Sequence, residues 1–328
     1  MFVSVVLPTR NAEWCLPYAL DSLLKQKTQP DEYVICIGKS EDNTEKLILD
    51  FSQKCSVPVK ICYDKEGIGT GYAMNLLMKE ATGDIVLWAS SDGTKSSRWV
   101  ERMKRFFEEN KEITYLCNSG ILDNPKNMIL ADPEQIPFNN KLKYINGIDS
   151  LAGIIAFRRD VALSVGNFDQ LFTRGQDFDM VIRFAQTGKI GADCGLQGYH
   201  FGVYGERNLS KAFKTGTFFK FIYKYGWRYC LINPHHFAGV VLRTGFLFSI
   251  IMFLLGLIFG SSLTIIFGCT LLLSILGLCF GVVVSHGKLS LNLLVFQFLE
   301  SIGEYKQLFL LINNKNKPKM GYGKKWLK

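Results

Sequence analysis

The sequence predicts an α/β fold, a mainly parallel sheet flanked by helices, followed by a transmembrane helical hairpin near the carboxyl end. Three observations carry that expectation. Short apolar runs bounded by turn residues alternate with segments of helical spacing through the first half. Thr244 to Gly287 contains no Asp, Glu, Lys or Arg over 44 residues. The overall charge of +9 is unevenly spread: residues 1–200 hold 23 basic and 26 acidic side chains. By contrast, 201–243 carries seven basic residues against Glu206 alone, and 313–328 carries six lysines and no acid.

Val3 to Leu7 is the first strand, stopped by Pro8, and Leu16, Ala19, Leu20, Leu23 and Leu24 follow at helical spacing. Tyr33 to Ile37 is the second strand. Asp42-Asn43-Thr44-Glu45 reads as the cap and first turn of a helix to about Lys54. Val57 to Tyr63, Tyr72 to Ala81 and Ile85 to Ala89 continue as strand, helix and strand, and a helix over 96–109 leads to a strand at Ile113 to Cys117. Repeated strand–helix–strand units imply a parallel sheet covered on both faces. Residues 118–147 turn polar and Pro-containing, as an insertion facing a substrate would; the pattern returns as a strand at 153–158 and a helix at 176–187.

The charge-free run is more than twice the roughly 20 residues one span needs. Gly260-Ser261-Ser262 divides it into expected helices at 241–260 and 263–285. Cationic segments flank both open ends, which places those ends in the cytoplasm and the Gly260 turn on the far side. Strand-like sequence begins at Phe2 with no charged and apolar leader before it, so the first 200 residues are expected in the cytosol. Residues 213–229, FKTGTFFKFIYKYGWRY, interleave aromatics with lysines, as an interfacial helix does. Residues 289–312 carry Glu300, Glu304 and Lys306 and are expected to lie on the cytoplasmic surface. The predicted organisation is a catalytic domain at 1–205, a juxtamembrane segment at 206–240, two spans at 241–287, and a surface helix with a Lys-rich tail at 288–328. The basic segments answer to anionic lipid headgroups and not to nucleic acid, and two spans offer a surface for homo-oligomer formation. The nine cysteines show no C-x-x-C spacing and are expected reduced, with no zinc site or disulfide framework.

ATGDIVLWASSDG, residues 81–93, reads as a buried strand delivering Asp92 to a loop. Ligands of open α/β sheets bind beyond the carboxyl ends of the strands, and a carboxylate there suits a divalent cation held against a diphosphate. Alone, the stretch is better read as a solvated turn. Its place in an ordered series is more specific: SVVLPTRNAE, DSLLKQKTQPDEYVI, SEDNT, ATGDIVLWASSDG, GIIAFRRDVALSVGNFDQLF, GQDFDMVIRF and Tyr199-His200. Together these resemble the inverting, membrane-anchored members of the family 2 glycosyltransferases over residues 2–205, which implies a GT-A type (Rossmann-like) fold.

The resemblance implies a role for each matching position. Pro8, Thr9, Arg10 and Glu13 correspond to the loop lining the nucleotide site, and Ser40 to the segment after the second strand. Ile37, Gly38 and Lys39 stand where the family usually carries acids, which leaves the base open. Ser91 and Asp92 correspond to the D-x-D motif, with Ser90 at its first acidic position. Asp92 and His200 are the implied contacts of a divalent cation, Mn²⁺ or Mg²⁺. Asp177 corresponds to the base that deprotonates the acceptor hydroxyl, with Gln176 in place of a neighbouring acid and with Phe168 and Asp169 on the acceptor side. Asp179 and Arg183, four residues apart, read as an ordinary helix pair.

The expected function is transfer of a sugar, with inversion, from a nucleotide-diphosphate-sugar donor to a membrane-associated acceptor, most naturally a polyprenyl-linked glycan. The rival is a membrane scaffold with a degenerate donor site, favoured by the missing acids at 37–38, 90 and 176. A transporter is disfavoured, since two spans with no charge between Thr244 and Gly287 offer no evident pathway.

Overall fold

The structure is a computed structural model that describes residues 1–117, 143–145, 154–170, 172, 175–188, 190–193, 198–200, 218–232, 234–259 and 302–310, with isolated positions at 264–277 and 299. The chain divides into two units, Met1–Tyr204 and Gly205–Lys328.

In the first unit, β1 (Val3–Thr9), β2 (Glu32–Gly38), β3 (Val59–Asp64) and β4 (Ile85–Trp88) alternate with α1 (Leu16–Leu24), α2 (Thr44–Lys54) and α3 (Thr70–Glu80). A short β5 (Gly93–Lys95) precedes α4 (Trp99–Glu109) and β6 (Ile113–Cys117). Then come β7 (Lys143–Ile145), β8 (Ile154–Arg158), α5 (Arg159–Ser164), α6 (Gln176–Ala185), β9 (Ile190–Asp193) and β10 (Gly198–His200). The main sheet runs β3-β2-β1-β4-β8-β6-β9-β7, and β5 and β10 form a separate ribbon. β1 to β4 are mutually parallel, as the alternation of strands and helices predicts. β8 enters antiparallel between β4 and β6, a reversal that no local pattern announced.

Both faces of the sheet are covered. Val3, Val5, Leu7, Ile35 and Leu87 pack with α1, α2 and α4 residues such as Leu16, Phe51 and Trp99. Val6, Val34, Cys36 and Val86 pack with Met74 and Leu77 of α3 and Met180 and Phe184 of α6. Strands buried on both faces need no polar alternation, which is why they read as continuous apolar runs.

One buried charge sits within this core edge. Glu32 is 3% exposed. Its carboxylate accepts the Ser4 hydroxyl (2.6 Å), the Thr82 amide (2.7 Å) and the Thr82 hydroxyl (3.0 Å), and pairs with Lys60 (2.7 Å). Burial pushes its pKa up, but Lys60, Ser4 and Thr82 outweigh that and hold it below the usual carboxylate range. Gly83 completes the joint: an added Cβ would stand 2.6 Å from both Ser4 N and Ser4 Oγ.

In the second unit, α7 (Phe218–Tyr225) and α8 (Arg228–Ile232) precede α9 (Pro234–Phe259). Phe221 stacks on Tyr229 with centroids 4.6 Å apart, and the Tyr229 hydroxyl meets His236 Nδ1 at 2.6 Å. Glu304 accepts the Phe218 amide (3.1 Å), and Tyr305 donates to Thr244 Oγ1 (2.6 Å), which sets 302–310 beside the first turns of α9. Lys220 is buried, and that burial lowers its pKa against the opposing pull of Glu304.

α9 is the one described helix long and apolar enough to cross a membrane. Its 26 residues span ~39 Å. It starts at Pro234, several residues before the expected 241, because a helix is bounded by backbone geometry and Pro is favourable in a first turn. Described positions at 264–277 are helical. An added Cβ at Gly256 would stand 2.7 Å from Thr264 Oγ1, one at Gly268 3.4 Å from Phe253, and one at Gly277 3.6 Å from Leu242. The remainder of the expected second span lies outside the described residues.

Because the depressed Glu32 pKa belongs to the folded state, its stabilisation is present above the ordinary Glu value of about 4.3 and is lost as pH falls below it. Urea melts of the wild type should therefore weaken in that acid window. Glu32→Gln should flatten this acid loss and cost about 1–3 kcal/mol at neutral pH, because the Ser4 and Thr82 donors lose a charged acceptor.

Candidate active site

The carboxyl ends of β1, β2, β3 and β4 lie side by side, with Thr9 opposite Ile37, Gly38 opposite Asp64, and Val6 opposite Trp88. Their loops have left the ladder, and backbone polar groups must then find other partners. The loops after β1 and β2 satisfy each other. Asn11, at φ 46, donates its amide to Ser40 Oγ (3.0 Å) and accepts the Glu41 amide on Oδ1 (2.9 Å). The Ala12 amide donates to Thr44 Oγ1 (2.8 Å) and the Glu13 amide to Asp42 Oδ2 (3.0 Å). Glu13 in turn accepts the Asn43 amide (3.1 Å) and Nδ2 (2.5 Å). Slight burial opposes ionisation of Asp42, but bonds from the Thr44 hydroxyl and the Glu13 and Thr44 amides hold its carboxyl below the usual range.

Arg10 crosses this edge to the loop after β3. Its Nη1 donates to Gly67 O (3.1 Å), and its stem passes Gly38, where an added Cβ would stand 3.1 Å from Arg10 Cβ. Gly67 (φ 66) and Gly69 (φ 134) need backbone conformations that disfavour side chains. Asp64 holds that loop, accepting the Ile68 amide (3.1 Å) and the Gly69 amide (3.2 Å). Asp64 and these glycines are absent from the residues expected at the site; their sequence signal is D-x-x-G-x-G-x-G at 64–71, between a strand and a helix.

Asp92 follows β4 and is partly buried, with the Ser90 hydroxyl donating to its Oδ1. The serine at the position of the missing acid thus hydrogen-bonds the carboxylate that remains. Ser91 lies between them, also partly buried. The β5–β10 ribbon sets His200 opposite Gly93, one residue beyond Asp92. Burial first, then the Asp92 charge, pushes the Cys15 thiol up to about 12, so this cysteine stays protonated beneath the loop. Among the described residues no group of three or more His, Cys, Asp or Glu could hold a metal. A cation here would be held by Asp92 with ligands from a bound diphosphate and water, an oxygen donor set that fits Mg²⁺ or Mn²⁺.

The positions expected on the acceptor side lie within 165–170 and at the start of α6. Phe168 is buried edge-on to Trp88, centroids 5.6 Å apart, which seats the turn on the end of β4. Asp169 follows, and an added Cβ on Gly71 of α3 would stand 3.4 Å from its carbonyl oxygen. Gly175, in the left-handed conformation, precedes α6, and Gln176 and Asp177 form its first turn, both partly buried. Thr9 Oγ1 and Gln176 Oε1 are buried with no hydrogen-bond partner among the described residues.

The helix pair expected of Asp179 and Arg183 is present, and it is buried. They are 0% and 5% exposed, and Arg183 Nε and Nη2 reach Asp179 Oδ2 at 2.9 and 2.6 Å. Arg183 Nη1 also donates to Val165 O (2.8 Å) and to Asn167 O. This is a buried clamp on the turn before Phe168, not a surface pair, because α6 packs that side against the sheet.

Comparison with known proteins decides the type of domain. Residues 4–165 match the family described as Glycosyl transferase family 2. Those residues are a family 2 glycosyltransferase domain. Among curated relatives, an uncharacterised glycosyltransferase of Rickettsia typhi is 25% identical over 201 residues, 57% of this chain and 60% of that protein. The UDP-Glc:alpha-D-GlcNAc-diphosphoundecaprenol beta-1,3-glucosyltransferase WfgD of Escherichia coli is 26% identical over 198 residues, 59% of this chain and 74% of WfgD. The glucosyl-dolichyl phosphate glucuronosyltransferase of Haloferax volcanii is 27% identical over 184 residues, 52% of this chain and 56% of that protein. The chain thus matches about three fifths of the length of the Rickettsia relative. In fold, the chain is similar to the crystal structure of S. aureus TarS 1-349 in complex with UDP, with TM-score 0.50, 14% identity, and coverage of 94% of this chain and 92% of that one. The glycosyltransferase domain is therefore built on a GT-A type sheet, and its family match ends at Val165, just past β8.

Removing the cation of the buried pair tests its importance. Arg183→Met leaves Asp179 charged and buried, and should cost about 3–5 kcal/mol in denaturant unfolding of the domain. Asp179→Asn with Arg183→Met should recover part of that loss.

Proposed function

We propose that this chain is a membrane-anchored inverting glycosyltransferase, moving a sugar from a nucleotide-diphosphate-sugar to a lipid-linked acceptor. The observation that carries the reading is the partly buried Asp92 at the carboxyl end of β4 in a family 2 domain, with His200 set beside it by ribbon register. Pro8, Thr9, Arg10, Ser40 and Ser91 line or shape the donor side, and Glu13 acts there by fastening the loop. Asp92 and His200 hold a divalent cation, which when bound neutralises charge on the leaving diphosphate. Asp177 removes the proton from the acceptor hydroxyl as that oxygen attacks the anomeric carbon opposite the diphosphate. Gln176, Phe168 and Asp169 face the acceptor.

Lipid linkage is supported by α9 and by two relatives whose names specify diphosphoundecaprenol and dolichyl phosphate acceptors. The contacts of Gly256, Gly268 and Gly277 with Thr264, Phe253 and Leu242 support an antiparallel hairpin of two spans. Exposed Tyr223, Trp227 and Leu231, with Lys224 and Arg228 among them, suit a headgroup region next to the span. The domain order is then 1–205 catalytic, 206–240 interfacial, 241–287 spanning and 288–328 a surface helix with its tail, with the catalytic domain in the cytoplasm.

A panel of nucleotide sugars with Mn²⁺ tests the donor. The true one should stabilise the protein by about 2.7 kcal/mol at a hundredfold excess over its Kd. Asp92→Asn should abolish both this effect and transfer. Asp177→Asn should keep the stabilisation and lose roughly 100-fold or more in transfer. A folded protein that no nucleotide stabilises would instead support the scaffold reading. Proteolysis of sealed vesicles tests topology: the first unit should be cut only when its cytoplasmic face is outward.

A further inference from the structure

Asn75 lies in the second turn of α3, partly buried, and its carboxamide grips one distant residue twice. Nδ2 donates to Phe168 O (2.8 Å) and Oδ1 accepts from Phe168 N (3.0 Å). A carboxamide suits this because it offers a donor and an acceptor side by side. The gripped peptide follows two residues in left-handed conformation, Gly166 at φ 92 and Asn167 at φ 58. Backbone of that kind persists where the surroundings over-determine it. Arg183 supplies the other restraint, on Val165 O and Asn167 O. Four backbone atoms of 165–168 are therefore fixed by two side chains from two different helices.

α3 is also the helix that opens from the glycine loop fastened to Arg10. Gly71 in its first turn approaches Asp169 O and Phe172 O, where an added Cβ would stand at 3.4 and 3.5 Å. One helix thus touches the donor-side loop at its start and the Phe168–Asp169 turn one turn later.

We propose that Asn75 is a positioning residue: it fixes the Phe168–Asp169 turn against the donor side, so that the acceptor hydroxyl is presented in a single registration. The inference rests on the donor and acceptor assignments above. In reactions limited by orientation, a displacement of about 1 Å costs on the order of 100-fold.

The test compares the full-length wild type, N75A and N75D in lipid nanodiscs. N75A should raise the acceptor KM and lower transfer about 10- to 100-fold. It should speed amide exchange at 165–170 and leave the nucleotide-induced Tm shift as in the wild type. N75D adds a pH signature. As a carboxylate it has no donor for Phe168 O; once protonated it regains one. Its transfer relative to wild type should climb as pH falls towards the carboxyl range, while the N75A ratio stays level. A packing role alone would not separate those two ratios. An N75D ratio level with pH, a wild-type acceptor KM in N75A, or an equal loss of nucleotide stabilisation would each overturn the positioning role. A wild type that transfers nothing and is stabilised by no nucleotide would overturn the functional reading instead, and this inference with it.

Discussion

The site depends on one constraint: where β1, β2 and β3 end, their backbone amides leave the ladder and still require partners. The chain meets it by making adjacent loops partners of each other. Asn11, Glu13, Ser40, Asp42 and Thr44 bond across the gap between the first two loops, and Asp64 holds the third from below. The polar side chains at this edge are therefore mostly structural in their contacts, and the edge is stiff. Pre-set donors and acceptors are useful to a ligand because they need no rearrangement when it arrives. The same economy explains how a single carboxylate can stand where two are common: the hydroxyl of Ser90 steadies Asp92 without adding a second negative charge.

The two faces of the sheet divide the work. One face, packed on α1, α2 and α4, carries the bulk of the apolar core beneath the donor loops. The other is covered by α3 and α6, the helices that carry Asn75, Gln176 and Asp177. Trp88 joins them, since its ring meets Phe168 at the end of the strand that leads into Asp92.

How much of this the sequence disclosed follows from the range of the interactions. β1, β2, β4 and β6 were legible within a residue or two, because doubly covered strands are apolar without interruption and turn residues bound them. The antiparallel entry of β8 was not, since strand order is decided by pairing between distant segments. Arg10, Asp92 and Asp177 stand out only through ordered motifs. Asp64 and Asn75 do not stand out, because an Asp after a strand and an Asn within a helix carry no local mark of what they will bond. For Asp179 and Arg183 the spacing of four residues gives the pairing, whereas burial comes from how α6 lies on the sheet.

The insertion of β8 between β4 and β6 also has a bearing on how the chain is made. Ile85–Trp88 is complete early, but its second neighbour, Ile154–Arg158, leaves the ribosome about seventy residues later. Until then the growing chain presents a four-stranded parallel sheet whose innermost strand is a bare apolar edge. Such edges pair readily with other chains. Synthesis proceeds at roughly 5–20 residues per second, so the interval lasts seconds. Pauses within residues 90–158, or truncations before Arg158, would thus favour aggregation over folding, whatever the finished enzyme's stability.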